Sequence, residues 1–193
     1  MYEFRDLARL TTIACAFVAA HAVFDLLGSG ADWWQGPAGV EELRSADALQ
    51  LVNFLVLLSC LAIVGRWIYR ASVNAHALSS EMTISPGWAI GWYFVPFANL
   101  VKPFEAMREI WLASHESSGT YEESVPLLRV WWGLWLVTNM LSWIAFRMGE
   151  GSFGPALNFG VAILNVPLCI VLIAIMRDIA SSQRAVRHEL TFA

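Results

Sequence analysis

The sequence predicts an all-α integral membrane protein. The expected form is a four-helix bundle, with a proline-broken element and an amphipathic helix between its second and third spans. Three observations carry this expectation. Of the 193 residues, 58% are hydrophobic and 15% charged, whereas soluble domains carry about 25% charged residues. The apolar residues gather in blocks long enough to cross a ~30 Å hydrocarbon core, which takes about 20 helical residues. Between the second and third blocks lies SPGWAIGWYFVPFANLVKPFEAM, nearly uncharged but interrupted by Gly87, Gly91, Pro96 and Asn99.

The first span is expected at Leu10–Leu27, with His21 and Asp25 as its strongly polar members. Arg5 and Arg9, followed by Ala20-His21-Ala22, imitate a secretory signal with its cleavage site. Glu3 and Asp6 do not suit such a leader, and the apolar pattern continues past Ala22. The segment is therefore read as a retained span. The second span is expected at Ala48–Val64, closed by Gly65-Arg66. The third is Leu127–Phe146 and the fourth Ala156–Met176, where Pro167 predicts a kink. The whole chain, 1–193, reads as a single membrane domain.

Basic residues set the direction, since Lys and Arg accumulate in cytoplasmic loops. With both termini inside, Arg5, Arg9, Arg66, Arg70, Lys102, Arg108, Arg129, Arg177, Arg184 and Arg187 are cytoplasmic. Arg44 and Arg147 lie outside, where Asp32, Glu41, Glu42 and Asp47 make the first outer loop acidic. If residues 86–101 crossed completely, Arg177, Arg184 and Arg187 would move outside and this asymmetry would vanish. The stretch 85–101 is therefore expected to be re-entrant or interfacial, returning to the side it left.

Its residues suit that role. Ser85 is a favourable N-cap and Pro86 a favourable first helical residue. Pro96 removes a backbone donor and disfavours helix at Val95, so about ten residues can be helical, ~15 Å or half a bilayer. Asn99 can bond freed backbone groups. Lys102-Pro103 opens a second helix over 103–114, with Glu105 in its first turn. There Phe104, Met107 and Trp111 form an apolar stripe opposite Glu105, Arg108 and Glu109, suited to the headgroup layer. Gly87 and Gly91 form a GxxxG pair, serving either packing within the chain or a dimer face. Trp88 and Trp92, with Tyr93 beside them, serve either an interfacial aromatic belt or the lining of an apolar ligand site.

The runs N-A-H-A-L (74–78) and S-P-G-W-A-I-G-W-Y-F-V-P-F-A-N-L-V-K-P-F-E-A-M-R-E-I-W (85–111) resemble the signature of the membrane proteins grouped as domain of unknown function 4328. The motif residues matched are Asn74, His76, Ser85, Pro86, Gly87, Trp88, Gly91, Trp92, Tyr93, Pro96, Asn99, Lys102, Pro103, Met107, Glu109 and Trp111. The resemblance implies a multi-pass protein of the bacterial cell (inner) membrane. It implies no activity.

Ionisable and polar groups at membrane depth are costly and therefore candidates for function. His21 and Asp25 share a helix face, one turn apart. Under the expected topology Asn53, Asn139 and Asn158 lie at a similar outer depth, with Asn165 near the centre of its span. These residues make either an interhelical hydrogen-bond cluster or an outward-facing ligand pocket. A His-Asp pair is part of a hydrolase triad, but Ser142 lacks a G-x-S-x-G setting.

The charge of −4 offers no basic surface for nucleic acid. Cys15, Cys60 and Cys169 stand singly in apolar blocks, and the four histidines are scattered. No metal or cofactor is expected. The favoured reading is a non-enzymatic protein that binds membrane lipid or a partner through 85–111, the partner being a second copy or another membrane protein. A small transporter or ligand-binding membrane protein is the alternative, and a membrane-embedded hydrolase the third.

Overall fold

The computed structural model describes residues 4–35, 42–116, 126–148 and 153–192, with side chains of 35, 42–50, 116 and 187–192 outside the description. Glu41, Glu42, Arg44, Asp47 and Arg187 of the charge tally therefore lie outside the described side chains. Among the described residues the secondary structure is wholly helical: α1 Ala8–Gln35, α2 Glu42–Leu78, α3 Pro86–Gly91, α4 Lys102–Glu116, α5 Pro126–Met148 and α6 Gly154–Phe192. Two 3-10 turns, Trp92–Phe94 and Ala98–Leu100, link α3 to α4.

Among the described residues three helices are long and apolar enough to cross a membrane: Ala8–Trp34, Leu51–Leu78 and Gly154–Val186. At 23 residues α5 is ~35 Å long. It is less apolar because Arg129, Asn139 and Arg147 interrupt it and four of its residues are tryptophans. α1 packs against both α2 and α6, and α5 lies along α6. α3 rests on α2, while α4 bridges α2, α5 and α6.

The helix that carries the second expected span does not end at Gly65-Arg66. α2 continues to Leu78. The reason is a buried stripe at helical spacing, Trp67, Ile68, Ala71 and Ala75, which offsets the small cost of one interior glycine. Trp67 is wholly buried and its indole N–H donates to Thr11 Oγ1 at 2.9 Å, fixing α2 on α1. α6 likewise runs through Pro167, which is exposed, and continues well past Met176. At the other end of α1, Gly30 leaves room for Phe159, 3.2 Å from the position its Cβ would take. Phe159 stacks on Trp33 there, with ring centroids 5.2 Å apart.

The apolar stripe of α4 is covered by protein. Ala106, Met107, Ile110 and Ala113 are buried in the main core, with Phe104 and Trp111 packed against it. The expectation of a helix lying in the headgroup layer took the stripe for a lipid-facing one. An apolar stripe alone does not distinguish a lipid cover from a protein cover.

Candidate functional site

The family-like residues build a clamp around the 79–116 region. Asn74 is 1% exposed on α2. Its Oδ1 accepts from the Arg5 N–H at 3.0 Å. Its Nδ2 donates to the Arg5 carbonyl at 2.8 Å and to Gln183 Oε1 at 2.9 Å. Gln183, on α6 and 1% exposed, donates from Nε2 to the Ala71 carbonyl at 3.1 Å and to Ser114 Oγ at 2.9 Å. The Ser114 hydroxyl in turn donates to the Ile110 carbonyl at 2.6 Å. One buried network thus joins the N-terminal segment, α2, α4 and α6. Buried polar groups of this kind are stable when every member is satisfied.

Glu109 holds the entry to α3. Its carboxylate accepts from the Thr83 and Ile84 N–H groups, each at 3.0 Å, and from the Thr83 hydroxyl. Ser85 occupies the N-cap position with extended backbone, but its side chain makes no capping bond; its carbonyl accepts from Ala89 at 3.0 Å. Pro86 is buried, as is Pro103 at the start of α4. Lys102 pairs with Glu105 across the first turn of α4 at 2.6 Å.

Beyond α3 the helix tightens to 3-10 geometry and stops at Val95, as expected ahead of Pro96. The Pro96 carbonyl then accepts from the Ala98 N–H at 2.7 Å, with Phe97 between them at φ 63° and ψ −41°. This is a γ-turn of the strained hand, with a bulky residue at positive φ. Such a conformation costs on the order of 1–3 kcal/mol. The turn projects Phe97 outward at 86% exposure, beside Phe94 at 82%. Leu100, Val101 and Trp88 are also exposed.

The base of this tip is anchored in aromatics. Trp132 Nε1 donates to the Leu100 carbonyl at 3.1 Å. Tyr93 meets the edge of Trp135 at 6.1 Å. Trp88 and Trp92 pair with ring centroids 4.6 Å apart.

The two glycines differ in their surroundings. A Cβ on Gly87 would meet nothing within 4 Å, and one on Gly91 would meet the Trp88 indole at 3.1 Å. Gly87 therefore makes no close approach to another helix of this chain. The open space around Gly87 comes from its exposed position on a six-residue helix.

The five outer polar residues are not brought to one place. Asp25 accepts from Asn165 Nδ2 at 2.7 Å, joining α1 to α6. His21 Nδ1 and Asn53 Oδ1 are buried atoms without a hydrogen-bond partner. Asn53 lies near Gly28, its Nδ2 3.8 Å from the Cβ position there. Asn139 and Asn158 are exposed, and Asn139 Nδ2 donates to the Trp135 carbonyl of its own helix at 2.7 Å. α5 turns Leu128, Trp131, Trp132, Thr138 and Ala145 inward instead.

His115 and its neighbours were not singled out from the sequence. Its Nδ1–H donates to the Trp111 carbonyl at 2.8 Å, and its ring stacks on Trp111 at 4.4 Å. Its Nε2 lies 3.1 Å from both Asp178 Oδ2 and Ser182 Oγ. In a hydrolytic relay the serine and the carboxylate occupy opposite ring nitrogens. Here both meet Nε2, so the cluster acts as a strut between α4 and α6. Among the described residues no group of three His, Cys, Asp or Glu side chains is placed to hold a metal ion. His76 Nδ1–H donates to the Ser72 carbonyl at 2.9 Å, one turn back along α2.

Residues 41–181 match the family model described as domain of unknown function (DUF4328). No curated protein and no solved structure matches the chain significantly.

Proposed function

The chain belongs to the DUF4328 family, and on that premise we propose that it is a non-enzymatic integral membrane protein of the bacterial cell membrane that engages lipid through residues 85–111. In this reading α5 is the third of four spans, both termini are cytoplasmic, and 85–101 is a re-entrant element braced by α4. The observation that carries it is the contrast between a fixed base and an exposed apolar tip. Asn74, Gln183, Ser114 and Glu109 hold the surrounding elements in place, while Phe94 and Phe97 are more than four-fifths exposed.

Two features support immersion of that tip in lipid. Phe94, Phe97, Leu100 and Val101 form an apolar patch of the kind that marks an interaction site when exposed to water. Irregular backbone survives at membrane depth when its polar groups are satisfied internally. Here Val95, Ala98, Asn99, Leu100 and Val101 all donate to carbonyls of the same segment, at 2.7–3.4 Å. The topology is supported by the ion pair of Arg184 with Asp6 at 3.7 Å, which brings the N-terminal segment and the late part of α6 to one end of the bundle.

Spin labels at Phe94→Cys and Phe97→Cys, in a background with Cys15, Cys60 and Cys169 replaced, test the reading in reconstituted vesicles. Relaxation by oxygen exceeding that by a water-soluble nickel chelate is expected at both positions. Dominant relaxation by the nickel chelate refutes lipid contact, and labelling from the outer side at any position in 86–101 refutes the re-entrant topology.

A second reading, a small transporter or ligand-binding protein, draws support from the unpartnered His21 Nδ1 and Asn53 Oδ1. A bound molecule requires open space beside these atoms. An experimental density map with closed packing around both removes that reading.

A further inference from the structure

A second, basic site lies away from the 85–111 segment. Between the start of α1 and the middle of α2 lies an open cleft of about 370 Å³. Arg5 and Arg9 reach it from the N-terminal side, and Arg66 and Arg70 from α2. Arg66 and Arg70 are one turn apart and therefore share a helix face. Asp6 also lines the cleft, but its Oδ1 already meets Arg184 at 3.7 Å and the Ala8 N–H at 2.9 Å. Among the described residues no carboxylate pairs with Arg9, Arg66 or Arg70. Three arginines without a carboxylate partner among the described residues, Arg9, Arg66 and Arg70, thus line one cleft together with Arg5.

The wall of the cleft is apolar. Leu7 is buried, Leu10 is half-buried, and Ile13, one turn further along α1, is 48% exposed. The basic end therefore passes directly onto the surface of a helix long and apolar enough to cross a membrane. A free anion would use the arginines and leave that wall idle. An amphiphile uses both.

We propose that this cleft binds the phosphate of an anionic phospholipid head group, with the acyl chain lying along Leu10 and Ile13. Guanidinium groups match phosphate oxygens in a bidentate fork, and basic pockets between membrane helices suit anionic head groups. The cleft lies in the range of small-molecule pockets, roughly 300–1,000 Å³.

The test is native mass spectrometry of the full chain in detergent, titrated with phosphatidylglycerol, phosphatidylcholine or inorganic phosphate. Selective retention of phosphatidylglycerol is expected. One basic side chain near an anionic head group contributes about fivefold, so the double variant Arg66→Gln, Arg70→Gln binds about 25-fold more weakly. Arg129→Gln, outside the cleft, binds as the parent does, and Arg66→Lys, Arg70→Lys, which keeps the charge but loses the fork, binds between the parent and the glutamine pair. Should the glutamine pair fail to fold, Arg9→Gln is expected to lose about fivefold. Equal retention of the two lipids, or unchanged phosphatidylglycerol binding in a folded glutamine variant, overturns the proposal. Saturation by inorganic phosphate without lipid preference overturns the lipid assignment. These outcomes are independent of the spin-label result at 94 and 97.

Discussion

Replacing Asn74 by leucine keeps the side chain's size and removes three hydrogen bonds, those to the Arg5 N–H, the Arg5 carbonyl and Gln183 Oε1. Each bond contributes about 1 kcal/mol net. The two Arg5 groups are partly exposed, so water replaces part of their loss. Gln183 Oε1 is deeply buried, and an orphaned acceptor there costs about 1–3 kcal/mol. The sum is about 3 kcal/mol. At about 2–4 °C per kcal/mol for a chain of this size, the unfolding midpoint should fall by about 6–12 °C. Intrinsic tryptophan fluorescence during heating in detergent reads it directly. A double-mutant cycle with Gln183→Leu separates pairing from bulk effects, because the double variant leaves neither amide facing an absent partner. Its cost should undercut the sum of the singles by about 1 kcal/mol or more. A midpoint shift below about 2 °C, or strict additivity, refutes the clamp as a stabilising network.

Two further variants probe the same region. Glu109→Ala removes the acceptor for Thr83 and Ile84; hydrogen exchange of these two amides should accelerate at least tenfold, the equivalent of about 1.4 kcal/mol, and an unchanged rate would count against the anchoring role. Gly87→Ala meets open space in a short helix, so it should be neutral or stabilise by up to about 1 kcal/mol; a drop in oligomeric state on size-exclusion chromatography would instead identify Gly87 as part of an interface between copies.

The half-helix from Pro86, its stop before Pro96 and the restart at Lys102 were legible because proline acts locally on its own backbone. The extent of α2 was not, because Gly65-Arg66 looks like a terminus when Trp67, Ile68, Ala71 and Ala75 are not known to be covered. Gln183 was hidden in S-S-Q-R, which reads as a solvated tail. Its signal was periodic: Ile175, Ile179, Gln183 and Val186 continue one buried stripe beyond the apolar block. Ser114 and Asn74 lie 69 and 109 residues from Gln183, and no local pattern pairs residues at such separations. The outer asparagines show the converse. A position along a helix can be read from the sequence but the direction a side chain faces cannot, and Asn139 and Asn158 are exposed.

The amide of Gln183 also dictates an order of assembly. During synthesis Asn74 and Ser114 emerge long before α6 is complete, and each then lacks its bond to Gln183. The earlier helices can insert and pair, but the joint among them stays open to water until the closing turns of α6 leave the ribosome. A chain halted before Gln183 would carry exposed amides where the finished protein has none, which gives quality control a chemical mark by which to tell the incomplete product from the complete one.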